Sequence, residues 1–192
     1  MDGERPIVTF DMDGVLCRQP FGINPGKGHG KRRDRPGRRN ILWFTERWRY
    51  FGRKPMPGAR PGFLSVAEFA ECIVVSARAE HARGLTERWF ARYFGFVPEL
   101  HLRPSWRETS AQFKVRKLQE LGPVAHFEDD PHTAEWLSEF LPKVLLVDWA
   151  RNRWLEGPNI TRISRVSEAL PALAAAFDTE RHVEPAAEAD AP

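Results

Sequence analysis

The sequence of 192 residues contains only two cysteines, Cys17 and Cys72. Two cysteines cannot form the disulfide framework of a small secreted domain, and neither they nor the histidines have the spacing of a transition-metal site. No apolar run reaches the roughly 18 residues of a membrane-spanning helix, and the first ten residues, MDGERPIVTF, do not resemble a secretory signal. From these absences we expect a soluble protein of the cytoplasm with no membrane partner.

Net charge is also small, at +3 from 29 basic and 26 acidic residues, but the charge is unevenly distributed. A basic stretch opposed only by Asp34 contains Lys27, Lys31, Arg32, Arg33, Arg35, Arg38 and Arg39. It is not a phosphate-binding P-loop, because Arg32 follows Lys31 where that motif requires Ser or Thr. The stretch is either a cationic flap over an anionic substrate, with Lys31 and Arg32 binding it, or a solvated loop.

Five short β-type runs alternate with helical patterns along the chain. Several runs are continuously apolar, as in parallel strands that are buried on both faces. The pattern predicts an α/β fold with a doubly wound, parallel, five-stranded Rossmann-like sheet. Ser105 and Glu108 have the spacing of a capping box at the start of the third helix. The predicted strands are 6–10, 72–75, 99–102, 124–127 and 143–147.

One region interrupts this alternation and divides the chain into parts. Residues 17–61 hold the basic stretch and an aromatic-rich segment, ILWFTERWRYF, which predicts a flap and a small cap inserted after the first strand. Those aromatic rings would either stack on a base or form the core of the cap. The catalytic core is then 1–16 and 62–177. The last segment, 178–192, is rich in Ala, Glu and Pro and is predicted to be disordered.

Polar residues follow the first, second and fourth predicted strands. In a doubly wound sheet the ligand site lies beyond the carboxyl ends of the strands, so these residues are expected to meet. Two carboxylates so close at a strand end repel each other unless a cation or a functional role holds them. A hydroxyl and a guanidinium suit phosphate oxygens, and a second acidic group suits a hard cation. The residues are Asp11, Asp13 and Gly14, then Ser76 and Arg78, then Glu128, Asp129 and Asp130.

Several of these assignments have a structural alternative. Asp130 precedes Pro131 and is as well suited to capping a helix as to binding a metal. Arg78 would bind substrate phosphate or pair with a core carboxylate. Lys114 is preferred to Lys117 as the helical lysine of the site, because its separation from Asp129 leaves room for a helix, a turn and a strand. Glu128 is either a supporting residue or part of a loop.

Taken in order, these motifs resemble the four motifs of the haloacid dehalogenase superfamily of phosphatases, and more loosely its deoxyribonucleotidase-like branch. The resemblance implies that Asp11 is the nucleophile, that Asp13 is the general acid and base, and that Ser76 and Lys114 bind the transferred phosphoryl group. It also implies a Mg²⁺ cofactor held by Asp11, the Asp13 backbone carbonyl and the pair Asp129 and Asp130. Gly14 and Arg78 would lie against the substrate.

Three functions follow from these motifs. The first is a phosphatase for a phosphorylated small molecule, such as a nucleotide. The second is a phosphatase that processes nucleic-acid ends and contacts the backbone through the basic stretch. The third is a non-catalytic protein that binds metal or phosphate, which the intact pair Asp11 and Asp13 argues against.

Overall fold

The computed structural model describes residues 5–19, 50–105 and 107–181. They form a six-stranded sheet with helices on both faces. The strands are β1 (Ile7–Phe10), β2 (Glu71–Ala79), β3 (Glu99–Arg103), β4 (Ala125–Glu128), β5 (Lys143–Val147) and β6 (Ile160–Ile163). The helices are α1 (Ala59–Ala67), α2 (Arg83–Tyr93), α3 (Ser110–Leu121), α4 (Pro131–Leu137) and α5 (Leu170–Arg181).

The sheet is parallel throughout, and its strand order is β3-β2-β1-β4-β5-β6. The order reverses direction beside β1, which pairs with β2 on one side and β4 on the other. A doubly wound sheet binds its ligands at this point, beyond the carboxyl ends of the strands. The predicted fold class is therefore confirmed, and the residues that follow β1 occupy the expected position.

The prediction of five strands was wrong by one. The additional strand, β6, is at the edge of the sheet and pairs only with β5 among the described residues. Its sequence, ITRI, is short and contains an exposed arginine, so it lacks the continuous apolar run that identified the other strands. β2 is also longer than predicted and continues to Ala79, with a shift in its register against β3 between Ser76 and Ala79.

Apolar side chains cover both faces of the sheet. On one face, Phe10 and Phe127 from the paired strands β1 and β4 stack with their ring centroids 4.4 Å apart, and Phe63 of α1 lies 4.8 Å from Phe10. Residues of α2 and α5 complete this layer. On the other face, α3 and α4 contribute Phe113 and Leu137. Burial on both faces explains why the central strands are continuously apolar.

The two ends of the predicted insertion are joined next to the core. Cys17 forms an antiparallel bridge with Pro55, the Arg18 amide donates to the Lys54 carbonyl at 2.8 Å, and the Met56 amide donates to the Leu16 carbonyl at 2.8 Å. The helix that follows, α1, begins at Ala59, three residues before the predicted return to the core. The basic stretch 27–39 and the aromatic residues 41–49 lie outside the described residues.

The last helix extends beyond the predicted end of the core. α5 continues to Arg181, so it includes the first residues of the segment that was predicted to be a disordered tail, and residues 182–192 lie outside the described residues.

Within the described part of the chain, no helix is long and apolar enough to cross a membrane.

The capping box of α3 is not where the sequence analysis expected it. The pair is Thr109 and Gln112: the Gln112 amide donates to the Thr109 hydroxyl at 3.1 Å, and the Thr109 amide donates to the Gln112 side chain at 3.0 Å. Ser105 instead accepts from the Arg107 amide in the preceding turn. Both pairs have the same spacing, and the prediction failed because spacing alone does not show where the helix starts.

We expect Thr109→Ala to lower the free energy of unfolding by about 1 kcal/mol, because the first turn of α3 loses its side-chain acceptor. Ser105→Ala is the matched control and should cost less than about 0.5 kcal/mol, as is usual for a partly exposed position outside a helix cap. Urea denaturation of both variants measures the difference. Equal costs would contradict the assignment of Thr109 as the cap.

Candidate active site

Asp11 is the first residue after β1 and lies at the centre of the sheet edge. Its amide donates to the Phe127 carbonyl at 2.9 Å, which ties it to β4, and only 5% of the residue is exposed. Its carboxylate lies 3.0 Å from the ammonium group of Lys114, which projects from α3. A buried carboxylate and a buried lysine are therefore paired at the carboxyl edge of the sheet, where a doubly wound sheet binds its ligands.

Three carboxylates meet at this point. Asp11, Glu128 and Asp129 each offer an oxygen within 4.8 Å of the others. Glu128 is fully buried at the end of β4, and both its oxygens are engaged: one accepts from the amides of Asp129 and Asp130 at 2.9 and 3.0 Å, and the other accepts from Lys114 at 2.7 Å. Glu128 is thus committed to orienting its neighbours, whereas Asp11 and Asp129 are the better candidates for direct metal ligands.

The cluster is electrostatically unbalanced. Burial raises the pKa of Asp11 well above its usual value against the opposing effect of Lys114, and Glu128 and Asp129 add to the rise. Burial likewise raises the pKa of Asp129 to about 7, against the effect of Arg151. Burial alone would also raise the pKa of Glu128, but Lys114 and His126 hold it below its usual range. An additional cation would relieve this repulsion.

The donor set suits Mg²⁺. All the available ligands are oxygens, which hard divalent cations prefer, and one or two carboxylates are what Mg²⁺ usually takes from a protein. The residues therefore fit the ion that the sequence analysis expected.

Gly14 is required here for two reasons. Its φ angle is +95°, which residues other than glycine rarely adopt. A Cβ at this position would also lie 2.1 Å from a carboxylate oxygen of Asp129. The indole N–H of Trp149 donates to the Gly14 carbonyl at 3.0 Å and fixes the turn. The structure thus places Gly14 against a candidate metal ligand, and its expected contact with substrate stays a prediction.

Asp13 is held by two arginines. Arg78 donates to both of its carboxylate oxygens, from Nε at 2.8 Å and from a terminal nitrogen at 2.7 Å, and Arg53 donates to one of them at 2.5 Å. Burial would raise the pKa of Asp13, but Arg78 and then Arg53 hold it below its usual value. The side chain of Asp13 is 21% exposed, so it borders the opening of the site.

Arg78 thus takes the second of the two roles considered from sequence, pairing with a carboxylate. The Nη1 atom of Arg78 donates to the Thr86 hydroxyl at 3.3 Å. The Nη2 atom, which donates to Asp13, also lies 3.3 Å from the Cys17 sulfur. Ser76 lies on β2, two residues past the position that pairs with the last residue of β1. It is buried, and its hydroxyl accepts from the Arg78 amide at 3.4 Å.

The two lysines of α3 differ clearly. Lys114 is buried between Asp11 and Glu128, whereas Lys117 forms a surface ion pair with Glu120. The preference for Lys114 from sequence agrees with this placement. Despite burial, its two carboxylate partners raise the pKa of Lys114, so the ammonium form is retained.

Asp130 has the helix-capping role that the sequence left open. Its carboxylate accepts from the Thr133 amide at 3.0 Å and from the Thr133 hydroxyl at 2.9 Å, at the start of α4. Its other oxygen accepts from Arg151 at 3.0 Å, and Arg151 also donates to Asp129 at 2.8 Å. The structure does not bring Asp130 into the group formed by Asp11, Glu128 and Asp129.

Comparison with solved structures identifies the architecture. A haloacid dehalogenase-like hydrolase from Xanthomonas campestris superposes with a TM-score of 0.58 at 12% identity, covering 95% of this chain and 100% of that chain. A second, from Streptococcus pneumoniae, gives a TM-score of 0.61 at 11% identity over 88% and 98%. The chain has the haloacid dehalogenase-like fold. A chain of the Pnkp1/Rnl/Hen1 RNA repair complex also matches, with a TM-score of 0.56 at 17% identity over 78% of this chain and 44% of that chain.

Other comparisons give no match: no protein-family model and no curated protein is similar to this chain. The likeness is thus one of fold. Within this haloacid dehalogenase-like fold, each function has to be argued from the residues themselves.

Sequence reasoning overlooked three residues of this site. Arg53 belongs to the inserted region and Arg151 to a turn after β5, and neither has a neighbouring motif that would mark it. Trp149 is equally inconspicuous in sequence. Glu128 was named in the sequence analysis as a supporting or a loop residue, and its contacts with Lys114 and the Asp129 amide are those of a supporting residue. Lys31 and Arg32, expected to bind substrate, lie outside the described residues.

We expect Gly14→Ala to lower the free energy of unfolding by about 2 to 4 kcal/mol, through backbone strain and the collision with Asp129. Gly95→Ala is the matched control, because Gly95 has a similar φ of +87° but a Cβ added there would meet nothing within 4 Å. It should cost only the backbone part, about 1 to 2 kcal/mol. Urea denaturation gives both values, and equal losses would show that the collision with Asp129 adds no cost to the backbone strain.

Proposed function

We propose that the protein is a phosphomonoester hydrolase that forms an aspartyl-phosphate at Asp11. The observation that carries this proposal is the buried pair of Asp11 and Lys114, 3.0 Å apart, beside two further carboxylates at the carboxyl edge of the sheet. A carboxylate nucleophile, a fixed ammonium group and an oxygen-rich cation site are the parts that phosphoryl transfer needs. The haloacid dehalogenase-like fold agrees with this chemistry.

In the first step an oxygen of Asp11 attacks phosphorus, and the bond from phosphorus to the leaving oxygen breaks. Asp13 gives a proton to that oxygen. In the second step the Asp13 carboxylate takes a proton from a water molecule as it attacks the aspartyl-phosphate, and the bond to Asp11 breaks. Arg78 and Arg53 keep Asp13 ionised, so its carboxylate is available to accept a proton in the second step, and the proton that it gives in the first step has to be taken up against their effect on its pKa.

Lys114 and Ser76 would bind the oxygens of the transferred group. Lys114 keeps its charge between two carboxylates, and the Ser76 hydroxyl lies beyond the end of β1 on the neighbouring strand. Mg²⁺ held by Asp11 and Asp129 would supply the positive charge that offsets repulsion between a carboxylate nucleophile and an anionic phosphate. Asp130 would contribute to this ion through its Oδ1, which accepts from Arg151, because its Oδ2 caps α4.

A phosphorylated small molecule, in particular a nucleotide, is the proposed substrate. The ring of Tyr50 lies over the guanidinium of Arg78, with its centroid 4.3 Å from the central carbon, so an aromatic surface borders the site. As part of the same proposal we assign the protein to the cytoplasm, where thiols such as Cys17 and Cys72 stay reduced.

We expect the protein to hydrolyse 4-nitrophenyl phosphate in the presence of Mg²⁺, and Asp11→Asn to lower kcat by at least about a thousandfold because an amide cannot serve as the nucleophile. Asp148→Asn is the control: Asp148 also follows a strand, but it pairs with Arg153 and Arg162 on the surface. Its activity should stay within about twofold of the wild type.

A chelator should abolish turnover, and Mg²⁺ should restore it. Substantial turnover by Asp11→Asn, with the protein folded, would refute the aspartyl-phosphate mechanism. Full activity in chelator would refute the role of the metal. The role of Asp11 as the nucleophile would then be decided by the activity of the Asp11→Asn variant.

A second candidate is a phosphatase that processes nucleic-acid ends. The basic stretch 27–39 favours it, and so does the likeness in fold to a chain of an RNA repair complex. Cations that contact a nucleic-acid backbone release counterions, which makes binding strongly dependent on salt. A mononucleotide would contact few of these charges.

We expect salt to distinguish the two candidates. For a backbone-binding enzyme, kcat/KM on a 3′-phosphorylated oligonucleotide should fall by more than about tenfold between roughly 50 and 200 mM salt, and much less on a mononucleotide. Replacing Lys31, Arg32, Arg33 and Arg35 with serine should flatten that dependence. If both substrates respond equally and weakly, the second candidate is excluded.

A further inference from the structure

Arg53 is a buried cation whose position is set by the main chain. Only 7% of the residue is exposed, and its carbonyl accepts from the indole N–H of Trp89 in α2 at 2.8 Å. The next residue, Lys54, belongs to the antiparallel pair that closes the insertion. Two separate elements therefore hold the backbone of Arg53 next to Asp13.

The charges around Asp13 do not balance. Arg53 and Arg78 both donate to its Oδ1, at 2.5 and 2.7 Å, and the side chains of both arginines are almost completely buried. Burying a cation is costly without a counterion. Within the described residues, Asp13 is the only carboxylate that pairs with either arginine, so two positive charges share one negative charge.

The two arginines differ in what they have left to donate. Arg78 uses Nε and both terminal nitrogens on Asp13, Thr86 and Cys17. The Nε of Arg53 is buried and has no hydrogen-bond partner among the described residues. An unsatisfied buried donor destabilises the fold, so its retention needs a reason. The spare donor and the excess charge belong to the same side chain.

We propose that Arg53 binds a second anionic group of the substrate, close to the phosphoryl group that Asp11 attacks. The proposal deepens the proposed function and rests on it. The substrate class is then a phosphate monoester that carries another phosphate, either a second monoester or a phosphodiester. A guanidinium provides the bidentate donors that phosphate oxygens prefer.

Binding at Arg53 would also affect Asp13. A second phosphate that takes the Arg53 terminal nitrogen leaves Asp13 with Arg78 as its guanidinium partner and releases one of the two contacts on Oδ1. Arg78 would act as a positioning residue for Asp13, and Arg53 as the specificity residue.

The test compares kcat/KM for adenosine 3′,5′-bisphosphate, adenosine 5′-monophosphate and 4-nitrophenyl phosphate. We expect the wild type to prefer the bisphosphate to the monophosphate by about tenfold or more, since a charge-assisted contact has that effect. Arg53→Gln should reduce this preference by about tenfold, mainly through KM. Lys54→Gln removes an exposed positive charge from the adjacent residue and should change the preference by less than about twofold.

Preference, rather than absolute rate, is the readout, because Arg53 also touches Asp13 and its loss would lower turnover of every substrate. Arg53→Lys keeps the charge without the fork of donors and should give an intermediate preference. A 3′-phosphorylated dinucleotide distinguishes the source of the second anion: if it is preferred to the bisphosphate, Arg53 binds a phosphodiester.

The possible failures are distinct. Equal kcat/KM for the bisphosphate and the monophosphate in the wild type would overturn the role of Arg53, and so would a preference that survives in folded Arg53→Gln. Either result is compatible with the proposed function as long as the aryl phosphate is hydrolysed. Lack of hydrolysis of all three substrates by the wild type with Mg²⁺ would instead overturn the proposed function. If Arg53→Gln does not fold, the wild-type comparison and Arg53→Lys decide the question.

Discussion

The pairing of Lys114 with Asp11 and Glu128 is the interaction on which the rest of the site depends. All three side chains are buried, and taking any one of them out of water alone would cost several kcal/mol. Together they connect α3 to the ends of β1 and β4. The lysine also stabilises the ionised Glu128, which accepts from the amides of Asp129 and Asp130. The conformation of the acidic turn 128–130 therefore depends on one ammonium group.

Behind this group lies a second layer of polar contacts. The Thr9 hydroxyl lies 2.8 Å from Nδ1 of His126, and the other ring nitrogen lies 3.4 Å from Glu128. Burial lowers the pKa of His126, which favours the neutral ring, so Lys114 is the principal cation for Glu128. Polar groups in the middle of a sheet contribute little to stability, and proteins accept such arrangements mainly at functional sites.

Much of the fold could be predicted from sequence, because continuous apolar runs and strand-terminal polar residues follow directly from a buried parallel sheet. Asp11 and Asp129 were predicted this way, Lys114 was chosen from its spacing to Asp129, and the structure brings the three together. The edge strand β6 was missed because it is short and contains an exposed arginine, and the start of α3 was misplaced because two pairs of residues share one spacing. Arg53 and Arg151 could not be found, since tertiary pairing with Asp13 and Asp129 leaves no local pattern.

The short antiparallel pair that joins residues 16–18 to 54–56 has a consequence for how such a protein can change over time. A segment whose ends are already fastened together can lengthen at little thermodynamic cost, about 0.6 kcal/mol for each doubling of a flexible loop. Insertions and deletions between these ends would leave the sheet and the Asp11 cluster undisturbed. Under the proposed function, substrate selectivity could then change through this segment while the Asp11 cluster stays the same, and Arg53, next to the fastened ends, lies where the two parts meet.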